Sequence, residues 1–294
     1  MSGARVLGDW GTTNLRLYRV EGGVVTARQD GPGALCAVPA QVLAERLAVW
    51  QAQGPIDDVV LCGMAGARGA LVDAGYVACP ADRDAWLARP SRTRVGGLDV
   101  TVLAGVCAHA EGGVPDVMRG EEAQIFGAMA LEGDLAVGRH LIVLPGTHCK
   151  WVEVNDGVLQ GFRTYPTGEL FALLTSQSTL LGPDTPGEGV FEEGFARGLS
   201  RSGEALSGAL FEARAARLLD ARSREWSRGY ISGLLIGTEV AAEAGLSASV
   251  VLIGDKGIVD LYETALTRAT AMVRRIDGEA AALAGLALAT GANA

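Results

Sequence analysis

The chain has 294 residues, of which 49% are hydrophobic and 20% charged, so it can bury two cores and does not have the composition of a disordered polymer. Its formal net charge of −9 argues against polyanionic partners such as nucleic acids and anionic membrane surfaces. The first residues lack the apolar segment of a secretory signal, and no apolar run reaches about 18 residues. We therefore expect a soluble protein in the cytoplasm.

The first predicted element is a buried strand at residues 5–7, which leads into Gly8-Asp9-Trp10-Gly11-Thr12-Thr13-Asn14 and a second strand at residues 15–20. A strand that ends in aspartate and turns through glycine and threonine places a carboxylate, backbone N–H groups and hydroxyls on one loop. Such a loop is suited to holding a polyphosphate and its magnesium ion. The same residue types are equally typical of an ordinary hairpin turn, so this segment alone leaves both interpretations open.

Further along, residues 39–50 have the apolar spacing of a helix, and residues 58–62 are a short predicted strand. This strand leads into a loop of small residues at 63–69, which contains Met64, Ala65 and Gly66. A loop of this composition allows a ligand to approach the backbone closely, although a flexible turn is the alternative interpretation.

Two glutamates and an arginine mark the start of another predicted helix, which follows a strand at residues 98–105. Glu121 and Glu122 fall in the first helical turn, where acidic side chains commonly cap the helix. In the alternative interpretation one carboxylate is a general base and Arg119 binds an anion. Glu121 is then the stronger candidate for the base, because Glu122 is turned by about 100° around the helix axis and would be solvated or act as a cap.

The second half of the chain repeats the first loop. A predicted strand at residues 141–144 leads into Gly146-Thr147-His148, and one fixed offset aligns Gly11 and Thr12 with Gly146 and Thr147. Repetition at this separation predicts two similar halves, each with a Gly-Thr hairpin that could hold part of a phosphate chain. The sequence has no G-x-x-x-x-G-K-[ST] pattern, so the commonest phosphate-binding loop is excluded.

This repeat sets the predicted domain organisation. The N-terminal lobe covers residues 1–133 and the C-terminal lobe residues 134–294, with the last helix (about 278–292) crossing back. Within the C-terminal lobe, a helix at residues 170–179 follows Thr167 and Glu169, which either cap it or face a cleft.

Three glycines of the C-terminal lobe are candidates for a nucleotide site. Gly233 and Gly237 lie four residues apart on one helical face, which allows either close helix packing or the approach of a flat ligand. Gly254 ends a predicted strand at residues 249–254, before a helix at residues 258–272. The order strand, glycine turn, helix is where α/β folds receive nucleotides.

Taken together, seven stretches resemble the motifs of the 2-dehydro-3-deoxygalactonokinase family, within the sugar kinase, hsp70 and actin superfamily. They are residues 9–16, 63–66, 117–122, 144–151, 162–164, 167–170 and 232–237. The resemblance implies an α/β fold with two ribonuclease H-like lobes and an interlobe nucleotide cleft. It also implies an enzyme that uses ATP and Mg²⁺ to phosphorylate the terminal 6-hydroxyl of 2-dehydro-3-deoxy-D-galactonate in galactonate breakdown.

The residue patterns and this resemblance together indicate the following roles. The catalytic residues are Glu121 as base, Asp9, which would hold the magnesium ion, and Arg119, which would bind the substrate carboxylate. The other substrate-binding residues are Asn14, Met64, Ala65 and Gly66. The nucleotide-binding residues are Gly11, Thr12, Thr13, Gly146, Thr147, His148, Gly233, Gly237 and Gly254.

Two alternatives stay open at this stage. Gly120-Glu121-Glu122-Ala123 also resembles the catalytic stretch of exopolyphosphatases, although an acidic chain is poorly suited to a long polyanion. A non-enzymatic, actin-like nucleotide-binding protein is the other. The expected partners are a small sugar acid and ATP, with a homodimer as the candidate assembly, and the stereochemistry of the sugar acid is left undetermined.

Overall fold

The computed structural model describes residues 3–34, 38–243, 249–269 and 271–290. The strands are β1 (Ala4–Trp10), β2 (Asn14–Glu21), β3 (Val24–Pro32), β4 (Ile56–Gly63), β5 (Tyr76–Ala78), β6 (Ser91–Val95), β7 (Leu98–Val102), β8 (Gly105–His109), β9 (Pro115–Met118), β10 (Arg139–Leu144), β11 (Cys149–Asn155), β12 (Val158–Tyr165), β13 (Ser249–Gly254) and β14 (Met272–Asp277).

The helices are α1 (Pro39–Gln51), α2 (Arg83–Leu87), α3 (Glu121–Leu131), α4 (Thr167–Ser176), α5 (Phe191–Ser200), α6 (Leu206–Ala209), α7 (Glu212–Leu219), α8 (Arg224–Ala242), α9 (Lys256–Arg268) and α10 (Gly278–Leu288). Single 3-10 turns cover Met64–Gly66, Glu111–Gly113 and Gly133–Ala136. Among the described residues, no helix combines the length and the apolar character needed to cross a membrane.

The first sheet runs in the order β3-β2-β1-β4-β7-β6. Strand β1 pairs antiparallel with β2 and parallel with β4. Successive residues of β1, such as Val6 and Leu7, are both buried, as expected of a central strand that is covered on both faces. The parallel pairing places Asp9 opposite Cys62 and Trp10 opposite Gly63, so the carboxyl ends of β1 and β4 lie side by side.

The second sheet repeats this arrangement, with the order β12-β11-β10-β13-β14. The first of these strands along the chain, β10, is parallel to β13, just as β1 is parallel to β4. The five strands of the second sheet therefore follow the same order as β3-β2-β1-β4-β7 of the first sheet, as the repeat of the two Gly-Thr segments predicts.

The chain forms two compact units that interleave along the sequence. Unit 1 contains residues 1–140, 152–163 and 276–294, and unit 2 contains residues 141–151 and 164–275. Helix α10 belongs to unit 1. The predicted lobes, 1–133 and 134–294, divide the chain at a single point, and their boundary stays a prediction; residues 291 and 292 of the predicted last helix lie outside the described residues.

Several strands differ from the sequence-based prediction. The single strand predicted at residues 98–105 is wrong, because β7 ends at Val102 and β8 begins at Gly105 in a separate sheet of order β5-β8-β9. The helix predicted at residues 258–272 ends at Arg268, and β14 begins at Met272. Short strands such as β5 and β9 were missed because three or four residues are too few to display a period of two.

Glycines allow a close helix crossing in each unit. In unit 1, a Cβ atom on Gly127 of α3 would overlap the Ala281 carbonyl oxygen of α10, and one on Gly285 would overlap the Ala123 carbonyl oxygen. In unit 2, a Cβ atom on Gly233 of α8 would overlap the Phe195 carbonyl oxygen of α5. These helices approach to backbone contact, so their glycines are required by packing.

This packing gives a stability prediction. Gly127→Ala should destabilise the protein by about 1–3 kcal/mol, because the added methyl group meets backbone that cannot rotate away. Gly257→Ala is the matched control: it lies in the first turn of α9 with open space around it, so alanine should be neutral or stabilising by up to about 1 kcal/mol. Urea unfolding of both variants checks this, and equal midpoints would contradict it.

Candidate active site

Asp9 lies where β1 and β4 end. Its Oδ1 atom is 3.8 Å from the Cys62 Sγ, and its Oδ2 atom is 3.9 Å from Nη1 of Arg16, the residue opposite it on β2. The Asp9 side chain is 24% exposed, whereas Cys62 is fully buried. The carboxylate is thus anchored at the end of the sheet and still reaches solvent.

Two glycines bring neighbouring backbone against Asp9. Gly63 ends β4 with φ +75° and Gly120 precedes α3 with φ +116°, both in a region that side chains with a Cβ rarely adopt. A Cβ atom on Gly63 would lie 2.6 Å from the Trp10 carbonyl oxygen and 3.4 Å from Asp9 Oδ1, and one on Gly120 would lie 3.4 Å from the Gly63 Cα. Glycine at both positions therefore lets the start of α3 meet the ends of β1 and β4.

The two glutamates at the start of α3 differ in their surroundings. An oxygen of Glu121, which is partly exposed, accepts a hydrogen bond from the Arg119 N–H at 3.0 Å. Glu122 is completely buried, and both of its oxygens lie 2.8 Å from the Gly120 N–H. Glu122 therefore acts as a cap, one of its two predicted states, and the other state, a solvated side chain, is wrong.

The electrostatics of this cluster follow from burial and from like charge. Burial, followed by the nearby charge of Glu121, raises the pKa of Glu122 to about 8. Burial also raises the pKa of the Cys62 thiol, and the charges of Asp9, Glu122 and Glu121 add to this effect. The carboxylates of Asp9 and Glu121 therefore place negative charge near the buried thiol, and a negative field favours a cation.

Arg119 lies beside this cluster with an incomplete set of hydrogen bonds. Its Nη2 donates to the Gly75 carbonyl oxygen at 2.9 Å, and the guanidinium carbon lies 4.2 Å from the centre of the Tyr76 ring. Its Nε and Nη1 atoms are buried and have no hydrogen-bond partner within the described residues. A buried donor without a partner costs free energy, and an acceptor bound to this guanidinium would remove that cost.

The structure brings Gly66, in the predicted loop at residues 63–69, to Arg119. A Cβ atom on Gly66 would lie 2.7 Å from Arg119 Nη1, so the glycine leaves room for the guanidinium. Met64 is half-buried, and Ala65 is fully buried in the core of the first sheet, so the Ala65 side chain faces the protein interior.

The first Gly-Thr loop is a closed turn with exposed hydroxyl groups. The Gly11 N–H donates to the Asn14 carbonyl oxygen at 2.8 Å, and the Gly33 N–H donates to the Thr13 carbonyl oxygen at 2.9 Å. Thr12, Thr13 and Asn14 are exposed. Backbone pairing thus fixes the loop and leaves its side chains available to a ligand.

The second loop, in unit 2, is held by the start of α4. The Glu169 N–H donates to the Thr147 carbonyl oxygen at 2.9 Å, and Glu169 Oε2 lies 2.8 Å from His148 Nε2. Gly146, Thr147 and His148 are all exposed. The predicted capping or cleft-facing role of Thr167 is wrong, because its buried hydroxyl donates to Glu239.

The three glycines predicted at the adenosine site lie in different settings. Gly254 ends β13, and a Cβ atom there would lie 3.6 Å from the carbonyl oxygen of Pro145, the residue before the second loop. Gly233 and Gly237 are buried against α5, where the missing side chains permit close helix packing. That is the first of the two interpretations open for them; a nucleotide contact stays a prediction.

The residues present are compatible with a magnesium ion that is bound mainly through phosphate. The described residues contain no group of three or more His, Cys, Asp or Glu side chains that could hold a metal on their own. Mg²⁺ commonly uses one or two carboxylates and takes its other ligands from phosphate and water. Asp9, whose carboxylate is 24% exposed and lies beside the negative charge of Glu121 as well as Arg16, fits that role.

Comparison with known proteins places this arrangement in context. The sequence profile of the 2-keto-3-deoxy-galactonokinase family matches residues 9–289. A probable 2-dehydro-3-deoxygalactonokinase from Rhizobium meliloti strain 1021 is 36% identical, over 96% of this chain and 94% of the relative. A 2-dehydro-3-deoxygalactonokinase from Escherichia coli K12 is 34% identical, over 95% of this chain and 94% of the relative.

Solved structures agree with the sequence relatives. The crystal structure of a candidate 2-dehydro-3-deoxygalactonokinase from Sinorhizobium meliloti has a TM-score of 0.85 at 33% identity, covering 97% of this chain and 95% of that one. The activator of 2-hydroxyisocaproyl-CoA dehydratase from Clostridium difficile has a TM-score of 0.53 at 13% identity, covering 98% and 96%, and this likeness concerns the fold alone.

The repeated sheets, the Gly-Thr loop after the first strand of each, and these likenesses define the fold of the sugar kinase, hsp70 and actin class, which confirms the predicted α/β fold class. Within that class, the chain belongs to the 2-keto-3-deoxy-galactonokinase family, as its motifs predicted. The comparisons support neither the exopolyphosphatase-like hydrolase nor the non-enzymatic nucleotide-binding protein.

Two neighbours of the predicted site residues had not been singled out from the sequence. Tyr76 lies over the Arg119 guanidinium, and Arg16 lies opposite Asp9. Tyr76 stands in a three-residue strand without a motif, so the sequence offers no local signal for it. Arg16 could have been found from its place in the hairpin, where the turn length sets which residues of β1 and β2 face each other.

Proposed function

We propose that the protein transfers the γ-phosphoryl group of ATP to the terminal 6-hydroxyl of 2-dehydro-3-deoxy-D-galactonate. The observation that supports this most is the cluster in unit 1, where Asp9, Glu121 and Arg119 lie around the contact between Gly63 and Gly120. A sugar acid needs a cation for its carboxylate, and an attacking hydroxyl needs a proton acceptor. The cluster offers both, beside a loop with exposed hydroxyl groups.

Glu121 is the proposed general base. The hydroxyl that attacks the γ-phosphorus must lose its proton during or after the attack, and a carboxylate is a suitable acceptor. Glu121 is partly exposed, and the hydrogen bond that its side chain accepts from the Arg119 backbone N–H holds it at the start of α3. Glu122 cannot take this part without a rearrangement, because it is completely buried.

Arg119 is the proposed partner of the substrate carboxylate, with Asn14 and the loop Met64–Gly66 as further contacts. Its two N–H-bearing atoms without partners would be satisfied by a carboxylate, which suits a planar guanidinium. Because both atoms are shielded from solvent, neighbouring side chains must shift when the substrate binds. Tyr76, 44% exposed and stacked over the guanidinium, is the side chain placed to do so.

The phosphates of ATP are proposed to contact the two Gly-Thr loops: Gly11, Thr12 and Thr13 in unit 1, and Gly146, Thr147 and His148 in unit 2. Gly254 lies beside Pro145, the residue before the second loop. Gly254, Gly233 and Gly237 are proposed to contact the nucleoside. Asp9 would hold Mg²⁺, which supplies charge neutralisation at the phosphates. Since the reaction consumes ATP, we place it in the cytoplasm.

A coupled ADP-release assay tests the proposal. Purified protein with ATP and magnesium should turn over 2-dehydro-3-deoxy-D-galactonate faster than its epimers, and the product should carry phosphate on the terminal carbon. Acceptor-independent ATP hydrolysis, or release of phosphate from polyphosphate, would contradict a sugar-acid kinase. A thermal shift with ATP and no shift with any sugar acid would point to a nucleotide-gated binder.

The role of Arg119 gives a further prediction. Arg119→Lys keeps the positive charge and loses the planar fork, so the KM for the sugar acid should rise roughly tenfold, the equivalent of about 1.4 kcal/mol, with the KM for ATP little changed. Steady-state kinetics with each substrate varied in turn measures this. Arg94→Lys, an exposed arginine paired with Asp99, is the control and should behave as wild type. A rise confined to the ATP constant would assign Arg119 to the phosphates.

A further inference from the structure

Unit 2 contains a buried carboxylate that the proposed mechanism does not use. Glu239, on α8, is 2% exposed. It accepts hydrogen bonds from Trp151 Nε1 at 2.5 Å, from the Tyr262 hydroxyl at 2.8 Å and from the Thr167 hydroxyl. The Cys149 thiol is a further hydrogen-bond partner. The carboxylate thus joins β11, α4 and α9 to α8, and its oxygens are saturated with donors.

Two of these partners follow the second Gly-Thr loop directly. Cys149 and Trp151 are the first and third residues of β11, which begins immediately after His148. Both side chains are buried, and both form a hydrogen bond with the Glu239 carboxylate. The strand that leaves the loop is therefore fixed by Glu239.

The third partner fixes the other side of the loop. Thr167 is the first residue of α4, and the next two residues contact the loop backbone. A Cβ atom on Gly168 would overlap the Gly146 carbonyl oxygen, and the Glu169 N–H donates to Thr147. Glu169 also bonds to the His148 ring through its side chain. The helix start that holds the loop is thus tied to the same carboxylate.

A carboxylate in a protein core costs more free energy of burial than an apolar side chain in the same place. Burial raises the pKa of Glu239, which reflects the cost of keeping a charge away from water. Apolar residues of similar volume commonly replace buried charges without loss of stability. What an apolar residue cannot do is fix several hydrogen-bond donors, from different segments, in one geometry.

We propose that Glu239 is a positioning residue for nucleotide binding: it sets the shape of the loop Gly146-Thr147-His148 through β11 on one side and α4 on the other. This inference rests on the proposed function, in which that loop binds the phosphates of ATP. Glu239 itself is buried, so we infer that it acts through these two elements.

The test is Glu239→Gln, assayed by ADP release with ATP and the sugar acid varied in turn, well below the melting temperature. Glutamine keeps the volume and offers only one acceptor oxygen to the donors around it. The KM for ATP should rise roughly tenfold, while the KM for the sugar acid stays within about twofold. ATP should also raise the melting temperature of this variant less than that of wild type.

Ser227→Ala is the matched control. Ser227 is equally buried on α8, and its hydroxyl donates to the Ala213 carbonyl oxygen at 2.8 Å, away from the loop. This variant should lose stability and leave both KM values unchanged. If Glu239→Gln does not fold, Thr167→Val, which removes only the bond between α4 and Glu239, should still raise the KM for ATP selectively.

Two outcomes would overturn the inference: unchanged KM for ATP in Glu239→Gln or Thr167→Val, or an equal rise of both constants. Thr147→Val separates this failure from failure of the proposed function. If Thr147→Val weakens ATP use and Glu239→Gln does not, the loop binds phosphate and Glu239 is only a core residue. If Thr147→Val itself leaves the KM for ATP unchanged, the assignment of the loop is wrong.

Discussion

Replacing Asp9 with asparagine should lower kcat by roughly 10²–10³-fold or more, with the fold intact. Asparagine has the same shape and can still occupy the space between Cys62 and Arg16, but it carries no charge. Phosphoryl transfer depends on charge neutralisation at the phosphates, and Asp9 is the proposed site of the magnesium ion. The variant should also need more magnesium to reach half of its maximal rate.

The matched control for this prediction is Asp58→Asn. Asp58 lies on β4 of the same sheet and pairs with Arg5 at 3.7 Å, but its side chain is 56% exposed. Surface ion pairs contribute little to stability, so this variant should keep both the fold and kcat. Magnesium titrations of kcat for the two variants and wild type make the comparison. Wild-type kcat with unchanged magnesium dependence in Asp9→Asn would remove Asp9 from the mechanism.

The parts of this site that depend on local pattern could be predicted from the sequence. A strand that ends in a Gly-Thr turn is encoded within about ten neighbouring residues, and its recurrence at a fixed offset predicts the shared strand order of both sheets. The start of α3 is equally local, because two acidic residues follow Gly120 and precede an apolar helical pattern. These predictions depend on spacing, which the linear sequence contains.

The contacts that depend on tertiary packing could not be predicted. Helical geometry correctly separated Glu121 from Glu122 by angle, but it could not say that Glu122 would be completely covered by protein. Likewise Tyr76 comes to Arg119 from a strand 43 positions earlier, and Glu239 gathers donors from three other elements. Each contact joins segments that are distant in sequence, and a single sequence carries no record of their proximity.

The strand predicted at residues 98–105 failed for a related reason. Its apolar alternation continues past Val102, so periodicity alone extends the strand, while Leu103 and Ala104 are buried in the passage from one sheet to another. Periodicity reports which residues are buried and does not report which sheet they join.

Glu121→Gln should reduce kcat by roughly 10²–10⁴-fold, the usual contribution of a general base, with KM for both substrates little changed. The amide cannot accept the proton of the attacking hydroxyl, but it can still accept the hydrogen bond from the Arg119 N–H, so the start of α3 should be preserved. Steady-state kinetics gives kcat and KM, and single-turnover experiments show whether the phosphoryl-transfer step is the one that slows.

Glu122→Gln is the matched isostere at the adjacent position, and it should keep a kcat close to wild type near pH 7. Its pKa of about 8 means that Glu122 is mainly protonated at that pH, and glutamine resembles the protonated acid in shape and charge. The glutamine carbonyl oxygen can still accept from the Gly120 N–H. The reverse ranking of the two variants would move the base to Glu122, and two active variants would leave neither glutamate in that role.

Stability measurements on Glu122→Gln provide a readout that is independent of turnover. Folding raises the pKa of Glu122 from 4.5 to about 8, so its contribution to stability is complete below about pH 4.5 and is lost as the pH rises towards 8. Glutamine does not titrate. The free energy of unfolding of Glu122→Gln, relative to wild type, should therefore increase between pH 5 and pH 8, by at most about 1.4 kcal/mol per pH unit. A difference that stays constant over this range would show that Glu122 is already ionised at pH 5 in the folded protein, and the explanation for its near-wild-type turnover would then be wrong.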